Sequence, residues 1–407
     1  MADKNFSSGW KPSRYTVMLL IGLTALAPLS IDMFLPSMPR MAEQFKAAPS
    51  KVQLAVTFFI IAMAVSQLLF GPASDRFGRR RTMLIGLGVY AVAGAFCGLA
   101  TTISVLLFGR ICQGFAAGSG PSVGQAVVRD IYGKERTARV LATMTTAMAL
   151  APMLAPVAGG YLQVTFGWRS VFVVLGGFGT IYFLAYLLMI PETNLQRDPE
   201  AMSPSRLFGN IKELVGNRIY IGNVLIMTTL FAGFFAFIAN SSFVLIEILG
   251  VSPDLFGYCF GFVAFGFMCG GFTSRQLHGR FEPRQLVFGG MVVVSVAGLS
   301  LGGQALTETY AVLPIVGSMY LWAVGGGMAM PMAAAEALVP YPEKAGLASS
   351  VMGFLRNFGT GLSGVIYVFV YDGTPNPMLF AITGASLLGL ILCTILLRST
   401  ETPRLAS

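Results

Sequence analysis

Charged residues and histidine are scarce in this chain of 407 residues. Asp, Glu, Lys and Arg make up 11% of it, whereas they make up roughly 25% of a typical soluble domain. Hydrophobic residues reach 55%, and the mean hydropathy is +0.72. This composition excludes an ordinary soluble domain and indicates a protein that lies mostly inside a membrane.

The single histidine and the five cysteines limit the chemistry that the chain can perform. His278 falls between two apolar runs, and the cysteines lie inside such runs without the spacing of metal ligands. The stretch GPSVG (120–124) fits a hydrolase pattern, but it lacks the required strand and histidine partner. Gly133-Lys134 lacks the other residues of a phosphate-binding loop. We therefore expect no enzymatic activity, no metal and no cofactor, and energy from a gradient instead of ATP.

Long apolar runs are abundant instead. Twelve runs of about 18–28 residues are present, each near the ~20 residues that an α-helix needs to cross a bilayer. They lie at 15–38, 51–70, 82–103, 104–128, 139–163, 169–190, 219–247, 254–273, 286–306, 310–332, 345–370 and 377–397. The sequence thus predicts an all-α membrane protein with twelve transmembrane helices.

Basic residues are distributed unevenly between the segments that connect these runs. If the N-terminus is cytoplasmic, 21 of the 27 lysines and arginines fall in cytoplasmic segments and only four in outer ones. By the positive-inside rule, both termini are predicted to be cytoplasmic. We expect a multi-pass protein of the cell membrane, which is the inner membrane in a Gram-negative cell. The net charge of +9 then reflects contact with the inner leaflet, and nucleic-acid binding is not expected.

The longest polar stretch divides the chain into two halves. It covers 191–218, between runs six and seven, so we predict an N-terminal six-helix bundle (1–190), a cytoplasmic linker and a C-terminal six-helix bundle (219–407). Within the linker, SPSRLFGNIKELV is predicted to form a short amphipathic helix at the membrane surface. GPASDRFGRR, from Gly71, and GGFTSRQLHGR, from Gly270, each close the second span of a half, although the second copy lacks the acid. Two pseudo-symmetric halves are typical of secondary transporters, which bind substrate between them.

The first of these repeated stretches resembles a known family. GPASDRFGRRR, between runs two and three, is similar to the Gly-x-x-x-Asp-Arg-x-Gly-Arg-Arg loop of the major facilitator superfamily. The matching residues are Gly71, Asp75, Arg76, Gly78, Arg79 and Arg80. We expect this motif to gate the cytoplasmic face. Asp75 would accept hydrogen bonds from a neighbouring helix N-terminus, whose dipole favours an anion, and the arginines would hold the face shut in one state.

Three further stretches resemble the same family. GRICQG (109–114) is similar to its Arg-x-x-Gln-Gly motif in span four, and SIDMFLPSMPRMAEQF (30–45) resembles the first span of the bicyclomycin/chloramphenicol-resistance group of drug:proton antiporters. APMLAPVAGG (151–160) is similar to the span-five motif of the antiporter branch, with Ala155 in place of its first glycine. The motif residues in that span are Pro152, Pro156, Gly159 and Gly160. The resemblance covers nearly the whole chain and is stronger in the N-terminal half.

Asp32 is the most unusual residue of the first span, because an ionised carboxylate at membrane depth is costly and such residues are usually functional. At ~1.5 Å per residue, Asp32 in span one and Arg110 in span four each lie ~9 Å below the outer face. In one layer, an opposite charge or a hydrogen bond makes each charge less costly, while desolvation favours a neutral carboxyl. We therefore predict that Asp32 and Arg110 couple transport to protons. The alternative is a static ion pair that only fixes packing.

Several other polar residues are candidates for a substrate cavity. They are Gln113, Asn240, Tyr258, Arg356, Asn357, Glu247 and Glu336. Arg356 departs from the uncharged amide that the resemblance implies nearby, so we expect it to contact an electron-rich substrate or to balance charge. Glu247 and Glu336 lie close to span ends, where acids can reach water. The Phe-rich stretches at 234–237 and 256–267 would either wall an apolar drug cavity or pack against lipid.

The function that fits these patterns best is proton-coupled antiport, with amphipathic drugs or antibiotics exported by alternating access. The alternative is a physiological exporter of a polar metabolite, such as a sugar or an amino acid, for which drug efflux is incidental. A third possibility is a signalling protein that does not transport, in which Asp32 has no need to titrate. The expected partners are a small drug-like substrate, protons and membrane lipid, and the protein is expected to act as a monomer.

Overall fold

The first helix begins at Arg14, directly after a capping serine. The Ser13 hydroxyl accepts from the backbone N–H of Thr16, and the Thr16 hydroxyl accepts from the backbone N–H of Ser13. This reciprocal pair satisfies donors that the first turn leaves free. The computed structural model describes residues 12–132 and 134–398, and the regular elements in these ranges are helices.

Fifteen α-helices follow one another in the described part of the chain. They are α1 (Arg14–Asp32), α2 (Met38–Phe45), α3 (Pro49–Phe77), α4 (Arg79–Gly98), α5 (Ile103–Ala117), α6 (Ser119–Ile131), α7 (Lys134–Phe166), α8 (Arg169–Met189), α9 (Pro204–Gly216), α10 (Arg218–Ser242), α11 (Pro253–Leu277), α12 (Pro283–Leu306), α13 (Val312–Leu338), α14 (Ala345–Val370) and α15 (Asn376–Arg398). A short 3-10 turn (Leu35–Ser37) separates α1 from α2, and a π-helix (Phe243–Ile248) extends α10.

These helices confirm the predicted multi-pass architecture. Nine stretches of the described residues are long and apolar enough to cross a membrane by length and composition. The broken pair α5–α6, α7 and α14 supply the other three of the twelve spans. The amphipathic helix expected in the linker corresponds to α9.

Proline interrupts two of the predicted spans. Span one was expected to continue to Met38, but α1 ends at Asp32, because Pro36 has no N–H to donate to the Asp32 carbonyl four residues earlier. Span four is divided between α5 and α6, because Pro121 likewise cannot donate to Ala117. Asp32 is therefore the last residue of a helix and does not lie within one.

The spans form two six-helix bundles. In the first bundle α4 packs against α8 and α5, α3 against α5, and α1 against α7. In the second, α12 and α11 pack against α13, and α15 packs against α10 and α12. The bundles meet where α3 contacts α14 and where α7 contacts α11. The linker helix α9 is held to the second bundle, since Lys344 Nζ lies 2.7 Å from Glu213 Oε2.

The two faces of the molecule are named here by the chain ends. The terminal face is where α1 begins and α15 ends, and it includes the turns after α3 and α11. The opposite face includes the turn after α1 and the connection between α7 and α8. At the opposite face the side chain of Trp168 donates to Gln44 Oε1 at 2.6 Å.

Each of the two repeated stretches has a glycine with a positive φ near the end of its helix. Helix α3 is capped by Gly78 at φ +100°, and α11 is followed by Gly279 at φ +97°. Side chains with a Cβ rarely adopt such angles, so glycine lets the chain turn into the next helix at both places. Both copies of the repeat therefore use glycine at the turn into the next helix.

Candidate functional site

Arg110 of α5 is fully buried and joins three helices of the first bundle. Its Nη2 donates to the Ser30 carbonyl of α1 at 3.1 Å, and its Nε donates to the Ala55 carbonyl of α3 at 3.3 Å. Its Nη1 donates to Gln113 Oε1 at 2.7 Å. All three acceptors are neutral, so the guanidinium keeps its hydrogen bonds whatever the charge of Asp32.

Aromatic rings complete the surroundings of Arg110. Its Cζ lies 4.3 Å from the ring centroid of Phe59, 5.0 Å from that of Phe34 and 5.9 Å from that of Phe172. Cation–π contacts in a desolvated site contribute about 2 kcal/mol. These rings come from α3, from the turn after α1 and from α8, so Arg110 is a packing centre of the first bundle. The sequence identified Arg110 as a candidate residue but did not predict its contacts with these aromatic rings.

Asp32 does not pair with Arg110 in this structure. It lies two residues after Ser30 on α1 and is only 4% exposed. Among the described residues, no Lys or Arg nitrogen lies within 4.0 Å of its carboxylate. The ion pair expected from their shared depth is thus not formed in this structure. A buried carboxylate without a cation beside it is costly to keep ionised.

The span-five motif packs against the end of α1, next to Asp32. A Cβ on Gly159 would collide with the carbonyl of Met33, the residue after Asp32. A Cβ on Gly160 would lie 2.5 Å from the Pro253 carbonyl oxygen of α11. The absence of side chains at both glycines lets α7 touch both partners closely.

The other residues of this motif belong to the same interface. Pro152 and Pro156 lie inside α7. On α11, a Cβ at Gly257 would come 2.8 Å from the Pro156 carbonyl oxygen and 2.7 Å from Val157 Cα. The motif therefore holds the two bundles together near the opposite face, beside the residue with the unpaired carboxyl.

Arg356 and Asn357 form a second polar centre, on α14. Arg356 Cζ lies 4.1 Å from the ring centroid of Phe231, and its Nε donates to Asn357 Oδ1 at 3.2 Å. Asn357 Nδ2 in turn donates to Gln67 Oε1 of α3 at 3.3 Å, which links the two bundles. In the described residues, no carboxylate oxygen lies within 4.0 Å of the Arg356 guanidinium. Gln67 was not identified from the sequence.

The gating motif forms a network at the terminal face, but within one bundle. Arg79 Nη1 lies 2.5 Å from Asp75 Oδ1, and Arg79 Nε lies 3.1 Å from Asp130 Oδ2 at the end of α6. Arg80 donates to the carbonyls of Leu187 and Ile190, at the end of α8. Each of these partners belongs to the first bundle, so these arginines do not bridge the bundles in this structure. Gly71 lies within α3, and the guanidinium of Arg76 lies 5.2 Å from the neighbouring Phe77 ring.

The acid at the helix N-terminus is Glu192, and not Asp75 as the sequence suggested. Glu192 Oε1 accepts from the backbone N–H of Arg79 at 2.8 Å, and Oε2 accepts from that of Arg80 at 3.2 Å. It thus caps α4 from the start of the linker. Asp75 lies on the preceding helix, α3, and its carboxylate pairs with the Arg79 side chain. The Asp75 carbonyl accepts from Asn194 Nδ2 at 2.9 Å. The sequence signal for Glu192 was its position directly after the sixth apolar run.

The remaining cavity candidates are widely separated. Glu336 pairs with Arg284 at the terminal face, with 3.3 Å between Oε2 and Nε. Glu247 is exposed in the π-helix at the opposite face. Tyr258 is 62% exposed on the same face of α11 as Leu255 and Phe262. Gln113 accepts a hydrogen bond from Arg110, whereas Asn240 lines a cavity between α3, α10, α14 and α15.

The Phe-rich stretches pack mainly against one another inside the second bundle. The Phe234 ring stacks on Trp322 at 5.8 Å, and the Phe237 ring stacks on Phe260 at 5.7 Å. Phe237, Phe260 and Trp322 are fully buried. These rings therefore form bundle core, and most of them do not line an open cavity.

Two bundles of six spans, with ionisable side chains buried among the spans, are the architecture of a secondary transporter. The chain belongs to the major facilitator superfamily, since the model of that family, Major Facilitator Superfamily, matches residues 20–364. It is therefore a membrane transporter for small molecules and not an enzyme.

Similar proteins agree with this assignment. The chain is 31% identical over 351 residues to the uncharacterized MFS-type transporter YdgK of Bacillus subtilis (strain 168), covering 84% of this chain and 86% of that protein. It is 30% identical over 373 residues to the multidrug resistance protein MdtL of Escherichia coli (strain SMS-3-5 / SECEC), covering 91% and 92%. A partially occluded inward open structure of the xylose transporter XylE from E. coli has the same fold, with a TM-score of 0.72 and 14% identity over 95% of this chain and 97% of that one.

Proposed function

We propose that this protein is a proton-coupled antiporter that exports amphipathic drugs or antibiotics. The observation that carries the proposal is the buried carboxyl of Asp32, which has no basic partner among the described residues. No cation locks this carboxyl in its charged form, so it is free to exchange a proton when its surroundings change. Intramembrane acids of this kind act as proton relays in pumps and transporters.

The position of Asp32 links such an exchange to movement of the bundles. Asp32 ends α1, and the next residue, Met33, is in contact with Gly159 of α7. The neighbouring Gly160 is in contact with Pro253 of the second bundle. Separation of α7 from α11 therefore changes the packing one residue away from the carboxyl. Alternating access would thereby alternate the exposure of Asp32 between the two sides of the membrane.

The predicted topology assigns the two faces of the molecule to the two sides of the membrane. With both termini in the cytoplasm, the terminal face is cytoplasmic and the opposite face is outside. The contact of Gly257 with Pro156 and Val157 closes the opposite face in this structure. Outward release then requires this contact to open, with the N-terminal and C-terminal bundles as the two moving units of a monomer surrounded by lipid.

Drug export is favoured over export of a polar metabolite by similarity to a protein named for multidrug resistance. A growth screen against a panel of antibiotics, sugars and amino acids separates the two. Resistance to several unrelated amphipathic compounds supports drug export, whereas an effect limited to one polar metabolite supports the alternative.

Proton coupling is tested by the pH change on adding a substrate from that screen to purified protein in weak buffer. Asp32→Asn is neutral and nearly isosteric, and the hydrogen bonds of Arg110 do not involve Asp32. The variant should therefore fold and bind substrate, but release no proton and confer no resistance. Asp32→Glu should keep part of both activities.

The control is Glu343→Gln, which removes an exposed acid between α13 and α14. It should behave like the wild type. If Asp32→Asn folds, binds the drug and still releases protons, the proton carrier is another residue and the proposed mechanism is wrong.

A further inference from the structure

A cavity of about 180 Å³ lies between α3, α10, α14 and α15, in the half of the molecule nearer the opposite face. Gln53 and Thr57 line it from α3, Asn240 from α10, and Tyr367 from α14. Neither Asp32 nor Arg110 contributes to its wall. The cavity is thus separate from the proton-coupling candidates.

Several buried polar atoms on the wall of this cavity have no hydrogen-bond partner among the described residues. Gln53 is 2% exposed, and neither its Nε2 nor its Oε1 has a partner. The same holds for Asn240 Oδ1 and for the Tyr367 hydroxyl, although these residues are only 1% and 6% exposed. A buried polar atom without a partner costs about 1–3 kcal/mol, and native structures contain few of them. Four such atoms on three residues of one cavity wall point to a ligand that supplies the missing partners.

The lining restricts the chemistry of that ligand. No residue of the cavity wall carries a charge, and the unpartnered atoms include an amide donor, two amide acceptors and a phenol. The rest of the wall is mostly alanine, with Phe235 and Ile366. These features fit an uncharged molecule with an amide, hydroxyl or carbonyl group on a small apolar body.

The wall of the cavity includes a residue that reaches the outer surface of α14. Ile366, which lines it, is 57% exposed. Phe358, Leu362 and Phe369 are also exposed, and successive members of this set with Ile366 are three or four residues apart, so they form one apolar stripe on the helix. Such a stripe on a membrane span faces lipid. A molecule dissolved in the membrane therefore reaches the cavity without crossing the centre of the protein.

We propose that this cavity is a second binding site, which takes small uncharged amphipathic molecules from the bilayer. Gln53, Asn240 and Tyr367 hold the polar group of the ligand, and the alanines and Phe235 contact its apolar body. The absence of a side chain at Gly364 preserves the space, because a Cβ there would lie 2.5 Å from Phe235 Cε1 and 2.7 Å from Thr57 Oγ1.

Photolabelling of the full chain in lipid nanodiscs tests this site. The probe is 4-azidobenzamide, a neutral aromatic amide, and the comparison probe is 4-azidotoluene, which lacks the amide. We expect 4-azidobenzamide to label 53–57 and 363–370 preferentially, and excess benzamide to compete for this labelling. The 4-azidotoluene label should spread over lipid-facing residues and resist competition by benzamide.

Gln53→Leu removes an amide that has no partner, so the variant should fold at least as well as the wild type. Its competable labelling should fall about tenfold, which corresponds to about 1.4 kcal/mol of lost binding. Gln304→Leu, which removes an amide from α12 outside the cavity, is the matched control and should label like the wild type. Unchanged labelling in Gln53→Leu, or equal patterns with both probes, overturns the proposal and leaves a cavity filled by water or lipid only.

Ala385→Leu provides a second variant, because it fills the cavity without touching its polar groups. It too should lose the competable label, and retention of the label would contradict the site. Both variants keep Asp32, and labelling reports binding without proton movement. Failure of this site is thus distinguishable from failure of the proposed antiport.

Discussion

Arg284 in the second bundle is the structural counterpart of Arg79 in the first. Each lies at the start of the third span of its half, and each pairs with an acid near the end of the fourth span: Arg79 with Asp130 and Arg284 with Glu336. Glu336 follows Asp130 by nearly the same number of residues as Arg284 follows Arg79. The pseudo-symmetry of the halves therefore extends to one ion pair in each bundle. Glu336 therefore stabilises the second bundle at its terminal face and lies far from Asp32.

Glu336→Gln is expected to leave substrate range and proton release unchanged. The pair is partly exposed, with 38% of the Arg284 side chain and 17% of the Glu336 side chain accessible, so its contribution should be about 1 kcal/mol or less. A double-mutant cycle with Arg284→Gln, followed by thermal unfolding in detergent, measures that coupling. Loss of substrate-induced proton release in Glu336→Gln would instead assign this acid to the transport chemistry.

Asp75→Asn should weaken transport without changing which compounds are recognised. The substitution removes the 2.5 Å pair with Arg79, while Arg79 keeps Asp130 and Ser74 as partners. A loss of about 1 kcal/mol in one state changes the ratio of two states roughly fivefold. Transport rates for a set of compounds should fall in proportion. Selective loss of one drug class would contradict a role limited to gating.

Glu192→Gln should destabilise the N-terminal bundle. The change removes a negative charge from the N-terminus of α4, where Glu192 accepts from Arg79 and Arg80, and such an interaction contributes about 1 kcal/mol. Thermal unfolding should show a lower Tm, and Glu343→Gln, a change at an exposed acid, is the control. Equal Tm values for the two variants would show that Glu192 is dispensable as a cap.

Arg356→Gln should shift substrate preference while proton coupling persists. Glutamine can still donate to Asn357 but carries no charge for an anionic or electron-rich group. Hydrogen bonds to charged groups contribute about 1.5–3 kcal/mol, so export of such compounds should fall roughly tenfold or more. Arg356→Lys keeps the charge but loses the planar guanidinium over Phe231, so it should retain part of the export of these compounds. If resistance to every compound stays the same, Arg356 is only a structural charge.

The fold was predictable from the sequence because apolar run length and loop chemistry are local properties. Twelve runs correspond to twelve spans, and the repeated motifs marked the turns at Gly78 and Gly279. The prolines were also visible in the sequence. The spans were defined by hydropathy, however, so the breaks after Asp32 and before Ser119 were not predicted. Local sequence features therefore predicted the spans better than they predicted the breaks within them.

Side-chain partners were harder to predict, because they depend on rotation about each helix axis. The rise per residue placed Asp32 and Arg110 at one depth, but each further residue turns a helix by about 100°. That rotation directs Arg110 to Ser30 and Phe59, and it places Tyr258 on an exposed face. Glu192 was missed for another reason, since which acid reaches the α4 N-terminus depends on the path of the linker.

The glycine-lined contact between α7 and α11 determines how the protein should respond to ionic strength. Gly160 touches Pro253 and Gly257 touches Pro156, so backbone atoms rather than ion pairs seal the opposite face there. Helix α2, which carries Glu43, contacts the π-helix that carries Glu247, so acids from the two bundles face each other at this seal. Dissolved salt screens their repulsion and leaves van der Waals contacts unaffected. Added salt should therefore stabilise the closed opposite face.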